Sequence, residues 1–448
     1  MEKITSLTIH EICKILNVKT INSMKKISFI SLNSKEKSKE DFCFIAIKGK
    51  KYDGHNYIEE AISNGAILII SENEYITDKA YIINVKNSIK ALGAIAKYVK
   101  QKSKSTKTIC VTGSVGKTTV SKMVSLVLEE KYLVNKTQKN YNNEIGVPLS
   151  LFGSNENTVN VIELGMRGRG EIEYLASLCE PECSIITNVG SSHIGILGDA
   201  EAIFEAKLEI LKHTSDCVLV PSCEKFKNIN YNSVTPIFIG DLGDCYVYDY
   251  QYTNTGIEFS ICYKEKILKG FKINSFSLHN LTNAMFAIVI GILNLVDLDS
   301  IRKGLIKYSG ESMREEIQNI KGIVVINDCY NASFESMKSA IFALAKYAEI
   351  DKKIPCAFIG DMLELGRYSE ELHYRVGELA KDCGVDKLFV TGKYATNIMD
   401  GYSGGIYIKN PEHEASKVVS LLNESNVLLV KGSRKIGLEK FVDRMRKI

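Results

Sequence analysis

Between residues 108 and 130 the chain reads Thr108-Ile109-Cys110-Val111-Thr112, then Gly113-Ser114-Val115-Gly116-Lys117-Thr118-Thr119, then a helical pattern up to Glu130. A β-rich run, a glycine loop and a helix in that order can cradle phosphate. Successive loop N–H groups turn toward one anion, and the helix N-terminus adds partial positive charge. Lys117 would neutralise the outer phosphates, and the Thr118 hydroxyl would bind Mg²⁺. The longer form of this loop has glycine five positions before Gly116, where Val111 stands here. A glycine turn that enters a helix without binding phosphate is the competing reading, and the strand–loop–helix context disfavours it.

Three further residues could complete such a site. Glu163 ends the run Asn160-Val161-Ile162-Glu163, and the carboxyl end of a parallel strand faces the crevice where open α/β sheets bind ligands. Beside a Mg²⁺-bound triphosphate, a carboxylate there would ligate the metal or position water. His193 follows the apolar run Ser184-Ile185-Ile186-Thr187 in the same way, although strand-end acids and loop histidines are also ordinary surface features. Lys207 sits within a helical pattern, Glu201 to Leu211, whose apolar stripe is Ile203, Phe204, Leu208, Ile210 and Leu211. It lies four residues from both Ile203 and Leu211, so it projects from the stripe itself. A cation there meets an anion, or loses its proton to become a reactive amine, or snorkels to the edge.

Positioning these groups takes several α/β layers, and the chain is long enough to build them. Its 448 residues suggest about three domains at roughly 100–200 residues each. The first block, residues 1–104, mixes short apolar runs such as Phe42 to Ile47 and Ala66 to Ile70 and ends in the basic stretch Lys100 to Ser105. The second, 105–309, alternates strand and helix patterns around the glycine loop, which implies a parallel sheet covered by helices. A β-flavoured insert, Tyr246 to Phe276, precedes its last apolar helix. The third block, 310–448, repeats the alternation through Ile323–Ile326, Cys356–Ile359, Lys387–Val390 and Val427–Val430 as a second, doubly wound unit. The expected fold is therefore α/β: a small N-terminal α/β domain, a central parallel-sheet nucleotide-binding domain and a C-terminal Rossmann-like domain.

Composition excludes other classes. Lys plus Arg (57) nearly balance Asp plus Glu (53), which implies no nucleic-acid surface. The longest apolar run, Ala284 to Leu293, is too short for stable membrane insertion, and the first residues lack the apolar core of a signal peptide. The expected location is the cytoplasm. The twelve cysteines are scattered without any CxxC, so they read as small buried apolar residues rather than disulfides or zinc ligands.

Longer motifs carry a family resemblance. After the loop helix comes Asn140-Tyr141-Asn142-Asn143-Glu144-Ile145-Gly146-Val147-Pro148, then Glu163-Leu164-Gly165-Met166 and His279-Asn280-Leu281-Thr282-Asn283-Ala284. Asn327-Asp328-Cys329-Tyr330-Asn331-Ala332, Gly360-Asp361-Met362-Leu363-Glu364-Leu365-Gly366 and Val430-Lys431-Gly432-Ser433-Arg434 follow in the third block. Together they resemble the Mur ligases, ATP-dependent enzymes that extend the peptide of peptidoglycan precursors, and most of all the branch that adds D-alanyl-D-alanine. The family shares the shortened loop, which accounts for Val111.

The resemblance implies roles residue by residue. Gly113, Ser114, Val115, Gly116, Lys117, Thr118 and Thr119 would hold the phosphates of ATP. Thr118, Glu163, His193 and Lys207 would hold Mg²⁺, with Lys207 carried as a carbamate. Asn280 and Asn283 would contact adenine; Asp328, Tyr330 and Asn331 would contact the ribose; Arg314 would reach the γ-phosphate, with a linker salt bridge as its alternative. Ser34, Lys48, Gly49, Asn142, Asn143, Lys431, Ser433 and Arg434 would bind the substrates, a UDP-N-acetylmuramoyl-tripeptide and D-alanyl-D-alanine. Catalysis would fall to Lys117, Glu163, His193, Lys207 and Arg314 in a monomer. The first block departs from the family in two places. Asn33-Ser34-Lys35 stands for Asp-Ser-Arg, and Glu40-Asp41 for Gly-Asp. A bidentate arginine is not interchangeable with lysine, so an amide ligase with another acceptor is the alternative of the same class. A phosphotransferase or a non-catalytic nucleotide-binding module are the alternatives of other classes.

Overall fold

Runs rich in β-branched and other apolar residues become strands, and amphipathic runs between them become the helices that cover those strands. A computed structural model describes residues 1–49, 51–103, 107–189, 200–310 and 313–448, and the strands it describes form three sheets. The first contains β1 (Glu2–Thr8), β2 (Lys26–Ser31), β3 (Phe42–Ile45), β4 (Ala66–Ser71) and β5 (Tyr81–Asn84), in that spatial order. Its β1 and β2 are antiparallel and the rest parallel. Phe42, Phe44 and Ile69 pack there with Ile58 and Ala61 of the helix Ile58–Ser63.

The second sheet takes in β6 (Thr108–Thr112), β7 (Leu133–Lys136), β8 (Thr158–Glu163), β9 (Cys183–Ile186), β10 (Cys217–Pro221), β11 (Thr235–Ile239), β12 (Cys245–Thr253), β13 (Gly256–Tyr263) and β14 (Lys266–Ile273). Their order is β14-β13-β12-β11-β10-β9-β6-β8-β7. Every residue of β6 and β8 is buried, as parallel strands covered on both faces require. The β-flavoured stretch that interrupts the alternation in sequence is the antiparallel meander β12–β13–β14.

The third sheet contains β15 (Glu316–Ile320), β16 (Ile323–Asp328), β17 (Ile354–Ile359), β18 (Lys387–Val390), β19 (Ile406–Tyr407) and β20 (Asn426–Lys431), ordered β15-β16-β20-β17-β18-β19. Strand periodicity divides its side chains between two cores. Val324, Ile326, Ala357, Ile359, Val427 and Leu429 join Met337, Ile341 and Val376 on one face. Their neighbours Val325, Cys356, Phe358, Leu428 and Val430 join Phe441, Val442 and Met445 on the other. Burying each such side chain contributes roughly 1.5–3 kcal/mol, which is why these strands read as unbroken apolar runs. The α/β class expected from the sequence is what the structure has.

Two compact units divide the chain: Met1–Thr112 with Tyr132–Ser184 and Glu209–Cys217, and Gly113–Lys131 with Ile185–Leu208 and Val218–Ile448. All twelve cysteines are unbridged; ten are buried, Cys223 is exposed and Cys383 is intermediate. Among the described residues no helix is long and apolar enough to cross a membrane.

Candidate active site

Val111 lies inside β6, buried and opposite Glu163 of β8 in the parallel register. The strand thus occupies the position where longer loops begin with glycine, and the turn starts only at Gly113. Gly113 has φ +149°, and a Cβ there would lie 1.9 Å from the Thr187 hydroxyl. Gly116, at φ +86°, opens the helix Lys117–Leu128 from the left-handed region, and no side chain caps that helix. Glycine is required at both positions, and an uncapped N-terminus suits an anion.

The loop is held in shape by a residue that sequence reasoning missed. Asn188 Oδ1 accepts hydrogen bonds from the N–H groups of Ser114 (3.1 Å) and Val115 (2.8 Å). Lys117 Nζ donates to the Gly113 carbonyl at 2.9 Å. A carboxamide oxygen therefore occupies two of the donors expected to face phosphate. The only signal in the sequence was an asparagine directly after a strand run, one of many.

In the other unit, Glu163 is buried; its N–H donates to Thr137 Oγ1 (2.9 Å) and its carboxylate accepts from Asn142 Nδ2 (2.8 Å). The expected metal ligand and one expected substrate residue are thus in contact. Asn143 Oδ1 accepts from the Gly146 N–H at 2.9 Å, at the start of the helix Gly146–Leu151. His193 lies outside the described residues.

Lys207 belongs to the helix Ala200–Leu208, which tightens into a 3₁₀ turn, Glu209–His213. Leu208, at the end of the α-helix, and Leu211, in the 3₁₀ turn, are only partly buried, while Ala202, Ile203, Phe204, Ala206 and Ile210 are buried. Lys207 is 1% exposed, so it does not snorkel. Burial, reinforced by the positive charge of Lys117, pulls its ammonium down to about 7. Near neutral pH a large fraction is the free amine that carbamate formation needs, so this residue fits the modification the resemblance implies. Among the described residues no group of three His, Cys, Asp or Glu side chains is placed to hold a metal. Taken residue by residue, the expected ligands would offer a hydroxyl (Thr118), a carboxylate (Glu163) and, if carbamylated, the oxygens of Lys207, donor types that suit Mg²⁺.

The remaining nucleotide candidates lie around the helix His279–Leu293 and the carboxyl ends of β16 and β20. Asn283 Nδ2 donates to Asn280 Oδ1 (2.7 Å), and Asn283 Oδ1 is 3.0 Å from where a Gly116 Cβ would sit. Asn280 Nδ2 donates to Ser275 Oγ (2.8 Å) and to Glu315 (2.9 Å). The Arg314 guanidinium stacks on the Tyr330 ring, 4.1 Å from its centroid. Lys431 Nζ donates to Asp328 Oδ2 (2.6 Å) and to the Asn331 carbonyl (3.1 Å). Burial raises the Asp328 carboxyl above its ordinary range, against the opposing pull of Lys431. The Lys431 and Asp328 side chains are 2% and 13% exposed, so Lys431→Met strands a largely buried carboxylate. We expect it to lower unfolding free energy by about 3–5 kcal/mol, with part restored in Lys431→Met/Asp328→Asn, both read by urea denaturation.

Ser433 and Arg434 follow β20. Ser433 Oγ accepts from the Leu363 N–H (2.9 Å), and the Ser433 N–H donates to the Asp361 carbonyl (2.9 Å). Asp361 in turn accepts from the N–H groups of Lys393 (2.7 Å) and Tyr394 (3.0 Å). His373, kept below its usual range by burial, accepts from the Met362 N–H (2.8 Å). The Gly360–Gly366 motif is therefore a loop clamped at successive residues. Arg434 remains half-exposed near Glu439.

In the first block, the Ser34 hydroxyl donates to Glu60 (2.5 Å), and Lys35 is exposed. The backbones of Lys48 and Asp53 pair in an isolated antiparallel β-bridge, and the Gly49 N–H donates to the Tyr52 carbonyl (2.8 Å). Hydrogen bonds from His55 hold the Asp53 carboxyl below its ordinary range.

Comparison with known proteins bears on all three blocks. Residues 26–100 match the model of the Mur ligase family catalytic domain, 111–291 the Mur ligase middle domain, and 313–434 the Mur ligase glutamate ligase domain. The chain is 34% identical to the UDP-N-acetylmuramoyl-tripeptide–D-alanyl-D-alanine ligase of Bacillus subtilis, over 89% of each chain. It is 33% identical to the ligase of the same name from Rickettsia prowazekii, over 92% of this chain and 94% of that one. Among solved structures, the MurF ligase of Thermotoga maritima in complex with ADP is similar, with TM-score 0.81 and 28% identity over 93% of this chain and 97% of that one. A MurF structure from Acinetobacter baumannii shares the fold over both whole chains, with TM-score 0.90 at 24% identity.

Proposed function

Because this chain belongs to the Mur ligase family, we propose that it joins D-alanyl-D-alanine to a UDP-N-acetylmuramoyl-tripeptide at the expense of ATP, a step of peptidoglycan precursor synthesis. What carries the reading is the 34% identity to a ligase of that name across 89% of both chains. A likeness of that extent takes in the first and third blocks, which a phosphotransferase or a simple nucleotide-binding module would not need.

The chemistry follows from what a carboxylate lacks: it is a poor acylating agent until activated. The terminal carboxylate of the tripeptide attacks the γ-phosphorus of ATP; the bond to the bridging oxygen breaks, giving an acyl phosphate and ADP. The dipeptide amine then attacks the acyl carbon, loses a proton, and expels phosphate as the amide forms. The loop Gly113–Thr119 holds the phosphates, and Lys117 moves from the Gly113 carbonyl onto them. Arg314 approaches the transferring group from the linker. Asn280 and Asn283 face the base, and Asp328, Tyr330 and Asn331 the ribose. Thr118, Glu163, His193 and a carbamate on Lys207 would hold Mg²⁺, which supplies charge neutralisation for phosphoryl transfer when bound. Ser34, Lys48, Gly49, Asn142, Asn143, Lys431, Ser433 and Arg434 contribute to the substrate sites, within domains bounded near residues 104 and 309. We place the enzyme in the cytoplasm as a monomer.

Steady-state phosphate release with ATP, Mg²⁺ and UDP-muramyl tripeptide tests this. Release should depend on added D-alanyl-D-alanine; turnover indifferent to the dipeptide, or faster with another amine, rejects the assignment. One observation favours an altered acceptor. Ser34 is tied to Glu60 within Asn33-Ser34-Lys35, and a change of acceptor would appear as turnover with a precursor other than the uridine-linked tripeptide.

A further inference from the structure

We infer that Glu315 is a latch: its carboxylate occupies the amide of Asn280, and it must let go before an adenine base can take that place. The inference rests on the proposed function, which assigns Asn280 to the base. Glu315 accepts from Ser275 Oγ (3.0 Å), from Ser277 Oγ and from Asn280 Nδ2 (2.9 Å), with His279 Nε2 3.8 Å away. The helix His279–Leu293 has no side-chain cap of its own. The Glu315 carboxylate lies at that end through side-chain hydrogen bonds alone, where the helix dipole favours negative charge.

Asn280 is fully engaged as a result. A carboxamide has two N–H donors. Both are in use here, one on Ser275 and one on Glu315, while the oxygen accepts from Asn283. The side chain is also 1% exposed, so no donor is left for a ligand. One bond has to be exchanged, and the two are not equal. Ser275 lies five residues before Asn280 at the entrance to the same helix, whereas Glu315 arrives from a linker with strain in it. Gly310 (φ +77°), Met313 (φ +61°) and Glu315 (φ +52°) all have left-handed backbones. Side chains with a Cβ disfavour that region, and they persist there only where surrounding contacts hold them. The Glu315 hydrogen bonds are such contacts. Release frees the Asn280 donor and lets Glu315 return to ordinary backbone, while Met313 stays held by Glu316 and Tyr330. The relay also reaches the phosphate loop, since Asn283 lies against Gly116.

The test is calorimetric titration of the full chain with MgADP. If the unlatched form is about 10% populated, Glu315→Ala should bind MgADP roughly tenfold more tightly than the wild type. Glu315→Gln keeps the shape and one acceptor, so it should shift affinity in the same direction by less, and it carries the test should the alanine variant not fold. In an Asn280→Ala background, Glu315→Ala should change affinity by less than about twofold, because the latch acts through that amide. A residue that merely supports the fold would weaken binding. Unchanged or weaker binding in the folded Glu315 variants overturns the latch alone. So does an undiminished gain in the Asn280→Ala background. Failure of wild type and variants alike to bind MgADP overturns the proposed function, and the latch with it.

Discussion

Lys207→Met is expected to lower turnover by about 10²–10³-fold, the loss that follows removal of one electrostatic partner of the reacting group, while making the folded chain more resistant to heat. The two effects share one cause. Burial and the neighbouring Lys117 bring the Lys207 ammonium down to about 7 from 10.5. In the unfolded chain the lysine keeps its ordinary value, so between pH 7 and 10.5 the unfolded state binds more protons than the native one. Stability then rises with pH across that window. The contribution is fully present above the unfolded value and is lost as pH falls toward 7, below which both states are protonated and the penalty is constant. Methionine removes the penalty and fills similar space. The gain in unfolding free energy should be a few kcal/mol near pH 7 and shrink toward pH 10. Melting curves in bicarbonate-free buffer at pH 7, 8 and 9 read it directly; a variant that melts at or below the wild type at pH 7 refutes the argument. With carbon-13 bicarbonate, the wild type should show a carbamate carbon resonance that Lys207→Met lacks. That readout does not depend on turnover.

Lys207 was legible because helical phase is a local property. Ile203 and Leu211 flank it at four-residue spacing, and a cation in the middle of that stripe demands an explanation before any coordinates exist. The parallel strands of the third sheet were legible for a similar reason: burial on both faces writes a continuous apolar run. What the sequence concealed is long-range. Asn188 grips the loop at Ser114 and Val115 from more than seventy positions away. Glu315 reaches Ser275 across forty. The Asp361 carboxylate closes on Lys393 and Tyr394. In each case one ordinary polar residue meets backbone or side-chain donors brought together only by the fold, and no spacing rule distinguishes it from the polar residues beside it. The helix pitch was hidden as well. The 3₁₀ turn at Glu209–His213 takes Leu211 partly off the stripe, because periodicity assumes one pitch throughout.

Arg314→Ala should slow formation of the acyl phosphate by about 10³-fold or more, within the range found when an arginine stabilises a phosphoryl-transfer transition state, and leave MgADP affinity nearly unchanged. The guanidinium stands between two residues with left-handed backbones, Met313 and Glu315, and its central carbon lies over the Tyr330 ring, 4.1 Å from the centroid. The Tyr330 N–H donates to the Met313 carbonyl at 3.1 Å, so the ring that orients the arginine is tied to the same turn that presents it. A guanidinium over a ring can offer its planar, delocalised face to the π-system while keeping N–H donors around its edge. An ammonium has neither feature, and Arg314→Lys should therefore recover little of the lost rate despite keeping the charge. Tyr330→Leu should cost less, roughly tenfold, because it loosens the arginine without removing it. The proper measurement is single-turnover ADP formation with UDP-muramyl tripeptide, beside calorimetry with MgADP. ADP carries no γ-phosphate, so a residue that acts only on the transferring group has nothing to grip in that complex. A lysine variant that keeps more than half the single-turnover rate, or an alanine variant whose loss lies mainly in nucleotide affinity, would place Arg314 outside the reaction and leave it a linker cation stacked on a tyrosine.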